Sequence, residues 1–170
     1  MWKERLQKIF QWLFKPKMGK SYFIRVAVLA VAAYLFFGFI CEPMILNGES
    51  MEPNYHSGTV NFCWTPTYLF RKPGRGDVVV LKYAGDKVLL LKRVVALPGD
   101  TVEFRKGYLY LNGVRQEEPY VKNKRAEWNL KPRKVAEGNY YVVGDNRSMP
   151  IYQHKFGEIS QDRVKGALLL

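Results

Sequence analysis

The sequence predicts a mainly β protein, in which an antiparallel sheet domain is carried by one N-terminal transmembrane helix. Two observations lead to this fold class. One apolar run of twenty residues lies near the N-terminus. The rest of the chain alternates short β-branched and aromatic segments with Gly, Pro and Asn turn signals. A length of 170 residues allows one globular domain with an appendage.

The apolar run covers residues 22–41 and contains one charge, Arg25. At 1.5 Å per residue, a helix of this length spans about 30 Å, the thickness of a hydrocarbon core. A cleavable secretory signal has a shorter apolar run and a small-residue exit, whereas this run ends in Phe39-Ile40-Cys41. A buried core helix is the other alternative, but such a helix is rarely apolar on every face over twenty positions. We therefore expect a single transmembrane anchor.

The net charge of +12 fits either nucleic acid or an anionic membrane as a partner, and its distribution distinguishes the two. Residues 1–41 carry seven basic residues and one acid, a net charge of +6, and residues 42–170 carry twenty and fourteen, also +6. The first segment is thus the more densely charged one. The positive-inside rule then places residues 1–21 in the cytoplasm and residues 42–170 outside it.

Apolar residues recur at helix-like spacing among these first lysines. They favour either a short interfacial helix or a floppy basic leader, and the sequence leaves both open. The positions are Trp2, Leu6, Ile9, Phe10, Leu13 and Phe14.

Six segments of the body have strand composition. They are residues 59–64, 77–83, 88–97, 101–104, 108–111 and 140–143. Asn112-Gly113 predicts a hairpin after the fifth of them. Residues 122–134 are polar and basic, which favours a surface excursion.

Metal and disulfide chemistry have little support in this sequence. Cys41 and Cys63 form no disulfide framework, so two free thiols are expected. His56 and His154 lack acidic partners at ligand spacing, and no metal or phosphate-loop motif occurs. We expect no metal and no cofactor.

Lys92 is out of place in its predicted strand, where it shares a face with Leu90 and Val94 while Arg93 lies on the other face. A strand with apolar residues on both faces is typical of a position buried on both sides. Keeping an ordinary lysine neutral at pH 7 costs about 4.6 kcal/mol, and full burial can supply a pKa shift of that size. A neutral lysine is a general base. The alternative is an edge-strand lysine whose amine reaches water.

Ser50 lies in a turn-forming segment, Gly48-Glu49-Ser50-Met51-Glu52-Pro53, directly after the predicted anchor. Gly48 lets the backbone approach a substrate closely, and Pro53 stiffens the exit. Such a turn can expose a serine Oγ and direct backbone N–H groups to one point, as an oxyanion hole requires. Serines in turns more often bond only to the local backbone, so this segment alone is a weak signal.

Together these segments resemble the type I signal peptidase family, membrane-anchored Ser/Lys proteases that remove signal peptides from exported proteins. Four blocks match in family order behind the anchor. They are residues 48–53 (GESMEP), 75–81 (RGDVVVL), 92–100 (KRVVALPGD) and 144–147 (GDNR). Four ordered blocks are far more specific than any one of them.

The resemblance implies a mechanism and a set of partners. Ser50 is the nucleophile, neutral Lys92 the general base, and the backbone N–H groups of Ser50 and Gly48 form the oxyanion hole. Many family members add a Ser side-chain donor at the position that Gly48 occupies. The implied partners are signal peptides cut after small residues and the phospholipid of a bacterial plasma membrane, with no nucleic acid. The implied substrate pose adds a strand beside the lysine strand.

The chain departs from the family pattern after Arg147. The family serine that orients the catalytic lysine falls on Pro150, which has no hydroxyl, and the downstream Asp and Arg fall on Tyr152 and His154. Ser148 is the candidate to take over the orienting role. Asp145 and Arg147 are expected to brace the turn.

Residues 62–70, which are rich in aromatic side chains, have two interpretations of equal weight. It either dips into the lipid surface or belongs to the β core. Ser50 follows Cys41 by nine residues, so an extended chain keeps it within about 30 Å of the membrane edge. Two other functions stay open: a narrow-substrate Ser/Lys peptidase of conjugation or pilus processing, and a noncatalytic tethered domain that binds nucleic acid or anionic lipid.

Overall fold

The computed structural model describes residues 2–7, 19–84, 88–154 and 157–169. The chain divides into two compact units, Met1–Phe39 and Ile40–Leu170.

The N-terminal unit contains one long apolar helix. Residues 2–7 are helical, an α-helix runs over Lys20–Leu35, and a π-helical segment follows at Phe36–Ile40. None of the side chains of Lys20–Leu35 or Phe36–Ile40 is buried. A core helix would bury at least one face, whereas full exposure suits a helix surrounded by lipid. By length and composition the helix can cross a membrane.

The predicted anchor, residues 22–41, differs from this helix by two residues at its start and one at its end. Cys41 already belongs to the first strand because its backbone pairs with Trp64. Of the predicted interfacial helix, residues 2–7 are helical, with Trp2 and Leu6 exposed. Its remaining positions, Ile9, Phe10, Leu13 and Phe14, lie outside the described residues.

The second unit is built from antiparallel strands, as the sequence predicts. Among the described residues these strands form a larger and a smaller sheet. The strands of the larger sheet are β1 (Cys41–Ile45), β2 (Val60–Trp64), β3 (Val78–Ala84), β4 (Val88–Ala96), β9 (Asn139–Val143), β10 (Gly157–Ser160) and β11 (Val164–Leu169). Those of the smaller sheet are β5 (Thr101–Arg105), β6 (Tyr108–Leu111), β7 (Val114–Arg115) and β8 (Leu130–Lys134). The strand order is β1-β2-β11-β3-β4-β9-β10 in the larger sheet and β7-β6-β5-β8 in the smaller one.

All six predicted strand segments are strands, and the predicted hairpin joins β6 to β7. Asn112 and Gly113 both have positive φ, 52° and 81°, as a type I′ turn requires. The polar segment predicted as a surface excursion, residues 122–134, is mostly exposed. The prediction is wrong for Trp128, which is fully buried, and the last five residues form β8, which pairs with β5.

The strand that carries Lys92 is buried on both faces, which confirms the expectation for this segment. Leu91 packs with Leu46, Met51 and Val80 on one side. Val94 packs with its own cluster on the other side, with Leu90 at the edge of that cluster. The end of the strand enters the core beneath the smaller sheet through Val95 and Ala96.

Cys41 and Cys63 are both free and buried. Burial raises the pKa of the Cys63 thiol to about 11. Both side chains therefore act as small apolar core residues, as expected.

Candidate active site

Ser50 lies in the loop between β1 and β2, and this loop is fastened to the segment that follows β9. The Asn146 backbone N–H donates to the Ser50 carbonyl at 3.0 Å, and the Asn146 side-chain amide donates to the Glu49 carbonyl at 3.0 Å. Gly144 packs directly beneath Ser50, where any Cβ would collide with the Ser50 carbonyl oxygen. Glycine at position 144 is therefore required for this close approach.

Lys92 reaches Ser50 from β4. The Lys92 Nζ and Ser50 Oγ atoms are hydrogen-bonded at 2.6 Å. Only 3% of the Lys92 residue surface is exposed. The structure thus brings together the two residues that the sequence proposed as nucleophile and base, which are 42 positions apart.

Arg93 leaves β4 on the opposite face and forms an ion pair with Asp145. The two contacts, Nε to Oδ1 at 2.8 Å and a terminal nitrogen to Oδ2 at 2.6 Å, make the pair bidentate. Asp145 is fully buried and also accepts from the Asn54 amide at 2.8 Å. The Arg93 guanidinium lies over the Tyr120 ring, 4.2 Å from its centroid. Asp145 therefore joins the serine loop to the lysine strand.

Arg147 braces the same segment from below. Its Nε donates to the Gly144 carbonyl at 2.7 Å, and a terminal nitrogen pairs with Glu118 at 2.7 Å. Both side chains are about 1% exposed. Arg147 thus contacts the turn segment through the Gly144 carbonyl, whereas the side chain of Asp145 pairs with Arg93 and Asn54. The partners Asn54, Tyr120 and Glu118 carry no signal in the sequence.

We expect Asp145→Asn to destabilise the protein by about 3–5 kcal/mol, because it leaves the Arg93 guanidinium without its buried counter-charge. Thermal or urea unfolding of the purified protein measures this change. Glu103→Gln breaks an ion pair on the exposed surface, with Arg105, and should leave the unfolding midpoint unchanged. Equal midpoints for the two variants would show that Asp145 does not hold the loop and strand together.

The observed contacts of Gly48 and Ser148 differ from those expected of an oxyanion-hole donor and a lysine-orienting residue. Gly48 has a φ of 106°, and its N–H donates to Ser57 Oγ at 3.1 Å. Its proposed role in the oxyanion hole requires that bond to be exchanged when substrate binds. Ser148 is exposed, and its backbone N–H donates to Asn146 Oδ1 at 3.1 Å. Lys92 borders two concavities that are lined by described residues, and Ser148 lines neither of them.

The first concavity is a narrow cleft of about 30 Å³ on the Ser50 side of Lys92. Its walls are mainly apolar side chains of β1, β4 and the serine loop. They include Met44, Leu46, Met51, Tyr55, Leu89 and Leu91.

The second concavity is a larger cavity of about 330 Å³ that Lys92 shares with His154. The His154 ring packs edge-on against Trp128, with centroids 4.5 Å apart. Burial, assisted by the positive charges of Lys92 and Arg147, lowers the pKa of His154 to about 4. The imidazole is therefore neutral at physiological pH. Sequence reasoning assigned His154 no role.

A family model described as signal peptidase, peptidase S26, matches residues 19–169. The chain belongs to this family. It is 34% identical over 151 residues to signal peptidase I of Bacillus licheniformis, covering 83% of this chain and 81% of that protein. Signal peptidase I S of Bacillus subtilis (strain 168) is 37% identical over 132 residues, covering 72% and 71% of the two chains. Signal peptidase IB of Staphylococcus aureus is 33% identical over 166 residues, covering 86% and 85%.

Membership in the signal peptidase family makes this chain a peptidase, as the sequence motifs indicated. The mainly antiparallel fold and the one long apolar helix found among the described residues agree with the resemblance. The matched range begins with the apolar helix and runs through the last strand.

Proposed function

We propose that this peptidase is a serine endopeptidase that removes signal peptides from exported preproteins, with Ser50 as nucleophile and Lys92 as general base. The observation that carries the proposal is the 2.6 Å hydrogen bond between Lys92 Nζ and Ser50 Oγ at a buried position. The deciding experiment compares the cleavage of a model preprotein by the wild type with that by Ser50 and Lys92 variants.

The arrangement suits acyl transfer. Neutral Lys92 takes the Ser50 proton while Oγ attacks the scissile carbonyl, and the resulting ammonium returns that proton to the leaving amine. Burial favours the neutral lysine because it disfavours the charged form. Within the described residues the Ser50 N–H has no backbone acceptor, so it is a candidate donor to the oxyanion. Water then hydrolyses the acyl-enzyme.

The cleft beside Ser50 supports a preference for small residues before the cut. A volume of about 30 Å³ with apolar walls suits a methyl group far better than a long side chain. β9 pairs with β4 only from Arg93 onward. The Leu89–Leu91 edge on that side therefore has no strand partner among the described residues. An extended substrate strand added at this edge would lead its carbonyl to Ser50.

We further propose the topology that the charge pattern indicates. Residues 1–21 form the cytoplasmic segment, residues 22–41 the anchor, and residues 42–170 the extracytoplasmic catalytic domain. The exposed apolar helix supports the anchor, and the charges that precede it support the orientation. The membrane is a bacterial plasma membrane, with the signal peptides of preproteins and the bilayer as partners.

The aromatic stretch, residues 62–70, is divided between the two roles that the sequence allowed. Cys63 is fully buried and Tyr68 packs against the core. Leu69 and Phe70 are 76% and 91% exposed. We propose that these two side chains contact the lipid surface.

We therefore expect Leu69→Asp combined with Phe70→Asp to lower kcat/KM on a membrane-embedded preprotein by about tenfold, since two apolar side chains lose their proposed contact with lipid. Cleavage of a short soluble peptide should not change. Assays of the full chain in proteoliposomes and in detergent measure both values. Val114→Asp, at a 64% exposed apolar position on β7, is the matched control. An equal loss on both substrates would contradict a lipid contact.

A further inference from the structure

We infer that His154 is the residue that positions the Lys92 amine, in place of the serine that the resemblance expects at position 150. The inference rests on the proposed Ser50–Lys92 chemistry. Its structural basis is that Lys92 and His154 line one cavity, which Ser50 does not line, while Lys92 also lines the cleft beside Ser50.

A positioning group is needed because of the length of the lysine side chain. Four rotatable bonds separate Nζ from the backbone, and fixing them costs up to about 2 kcal/mol. Packing along β4 holds the stem, but the amine itself must stay within hydrogen-bond reach of Ser50 Oγ. A second polar group on the far side of Nζ restricts its rotation and keeps a lone pair aimed at the serine.

Proline at position 150 cannot supply that group, because it has neither a hydroxyl nor an N–H. Ser148 is exposed and does not border the Lys92 cavity. His154 does border it, together with Lys92.

His154 is held rigidly enough to act as a support. Its ring contacts Trp128 edge-on. Trp128 is fully buried and donates its indole N–H to the Met149 carbonyl at 2.7 Å. The His154 backbone N–H closes a turn on the Ile151 carbonyl at 3.2 Å. These contacts hold the imidazole in one position, as is required of a group that orients a catalytic side chain.

A neutral imidazole also suits both protonation states of the lysine. It has one N–H donor and one nitrogen acceptor. The nitrogen acceptor can receive an N–H of the neutral amine, which leaves the single lone pair of Lys92 for the Ser50 hydroxyl, and it can also receive an N–H of the ammonium formed when Ser50 is deprotonated. Because the imidazole stays neutral near pH 7, it does not repel that ammonium.

The test compares three replacements in the full-length enzyme on a model preprotein. His154→Phe keeps a ring against Trp128 and removes both nitrogens, so kcat should fall by about 10²-fold with KM unchanged. His154→Gln and His154→Asn return a polar amide at the two possible nitrogen positions. At least one of them should recover kcat to within about tenfold of the wild type. His56→Phe, at the other histidine of the chain and an exposed position, is the matched control.

Each outcome decides the question. Wild-type kcat in His154→Phe overturns the inference, and so does an equal loss in all three variants with a lowered melting temperature, which marks a structural role. If kcat falls in Ser148→Ala but not in His154→Phe, the residue that positions the Lys92 amine is Ser148, and the inference is wrong. Ser50→Ala and Lys92→Ala run beside these variants. If those two stay active, the proposed function itself fails, and if only His154→Phe stays active, the inference alone fails.

Discussion

Ser50→Ala is expected to lower kcat for preprotein cleavage by about 10⁴-fold or more, to the limit of detection. Ser50 Oγ is hydrogen-bonded to the buried amine, so under the proposed mechanism its removal takes away the group that forms the acyl-enzyme. Loss of a nucleophile cannot be compensated by binding, because the remaining groups stabilise only a reaction with water.

The fold should survive this change. The contacts that hold the loop go to the Ser50 and Glu49 carbonyls and not to the Ser50 hydroxyl. The unfolding midpoint should therefore match the wild type, and KM for the preprotein should stay the same. Ser160→Ala, at an exposed serine on β10, controls for the loss of a hydroxyl. Retention of more than a few per cent of activity in Ser50→Ala would remove Ser50 from the mechanism.

The sequence could propose Ser50 and Lys92 because four blocks in order carry the family resemblance. Read locally, a serine in a Gly- and Pro-bounded turn is a weak signal, and a lysine inside an apolar strand also fits an edge-strand lysine whose amine reaches water. The alternation of β4 then fixes which face Lys92 occupies. That Ser50 is the hydrogen-bond partner of Lys92 cannot be read from the sequence around either residue. The two are 42 positions apart, and only the folded chain brings the serine loop to β4.

The supporting residues could not be predicted because they meet only through long-range contacts. Asn54 lies 91 positions from its partner Asp145, and Arg93 lies 52 positions from it. Glu118 joins Arg147 across 29 positions. In the sequence these are ordinary polar residues, and only the packing of β9 against β4 makes them buried partners.

Four strands lie outside the predicted segments, namely β1, β8, β10 and β11, and for β1 and β8 the cause is different. β1 contains Pro43 and Glu42, and β8 contains Pro132 among basic residues. Proline and charge both argue against a strand when read locally. The two strands lie at or near sheet edges, where proline needs no ladder partner on its open side. Tertiary pairing thus overrides weak local preference at these positions.

Lys92→Met is expected to lower kcat by about 10⁴-fold, the second large effect. Methionine keeps an unbranched apolar stem of similar length in a site with 3% exposure, so β4 packing is preserved. Without the amine, the Ser50 hydroxyl has no base at 2.6 Å, and its own acidity is far too low for attack at neutral pH. Rates measured under single-turnover conditions separate this chemical step from substrate binding, which should be unchanged.

The stability of Lys92→Met distinguishes a functional lysine from a structural one. Replacing a buried amine with an apolar group removes a desolvation cost, so the unfolding midpoint should stay the same or rise. Lys131→Met, at an exposed position of β8, is the matched control for the loss of one cation. A clear drop in stability of Lys92→Met would indicate that Lys92 holds the fold together, and its low activity could then not be assigned to lost base catalysis.

Lys92→Arg separates base catalysis from a purely electrostatic role. A guanidinium keeps the positive charge and several N–H donors but does not lose its proton in proteins. If Lys92 stabilised the oxyanion as a cation, arginine would retain part of the activity, since the charge still lies near Ser50 Oγ. If Lys92 is the base, arginine is as inactive as methionine, because no lone pair is present to accept the serine proton. We expect the second result, and activity in Lys92→Arg well above that of Lys92→Met would exclude the neutral-lysine mechanism.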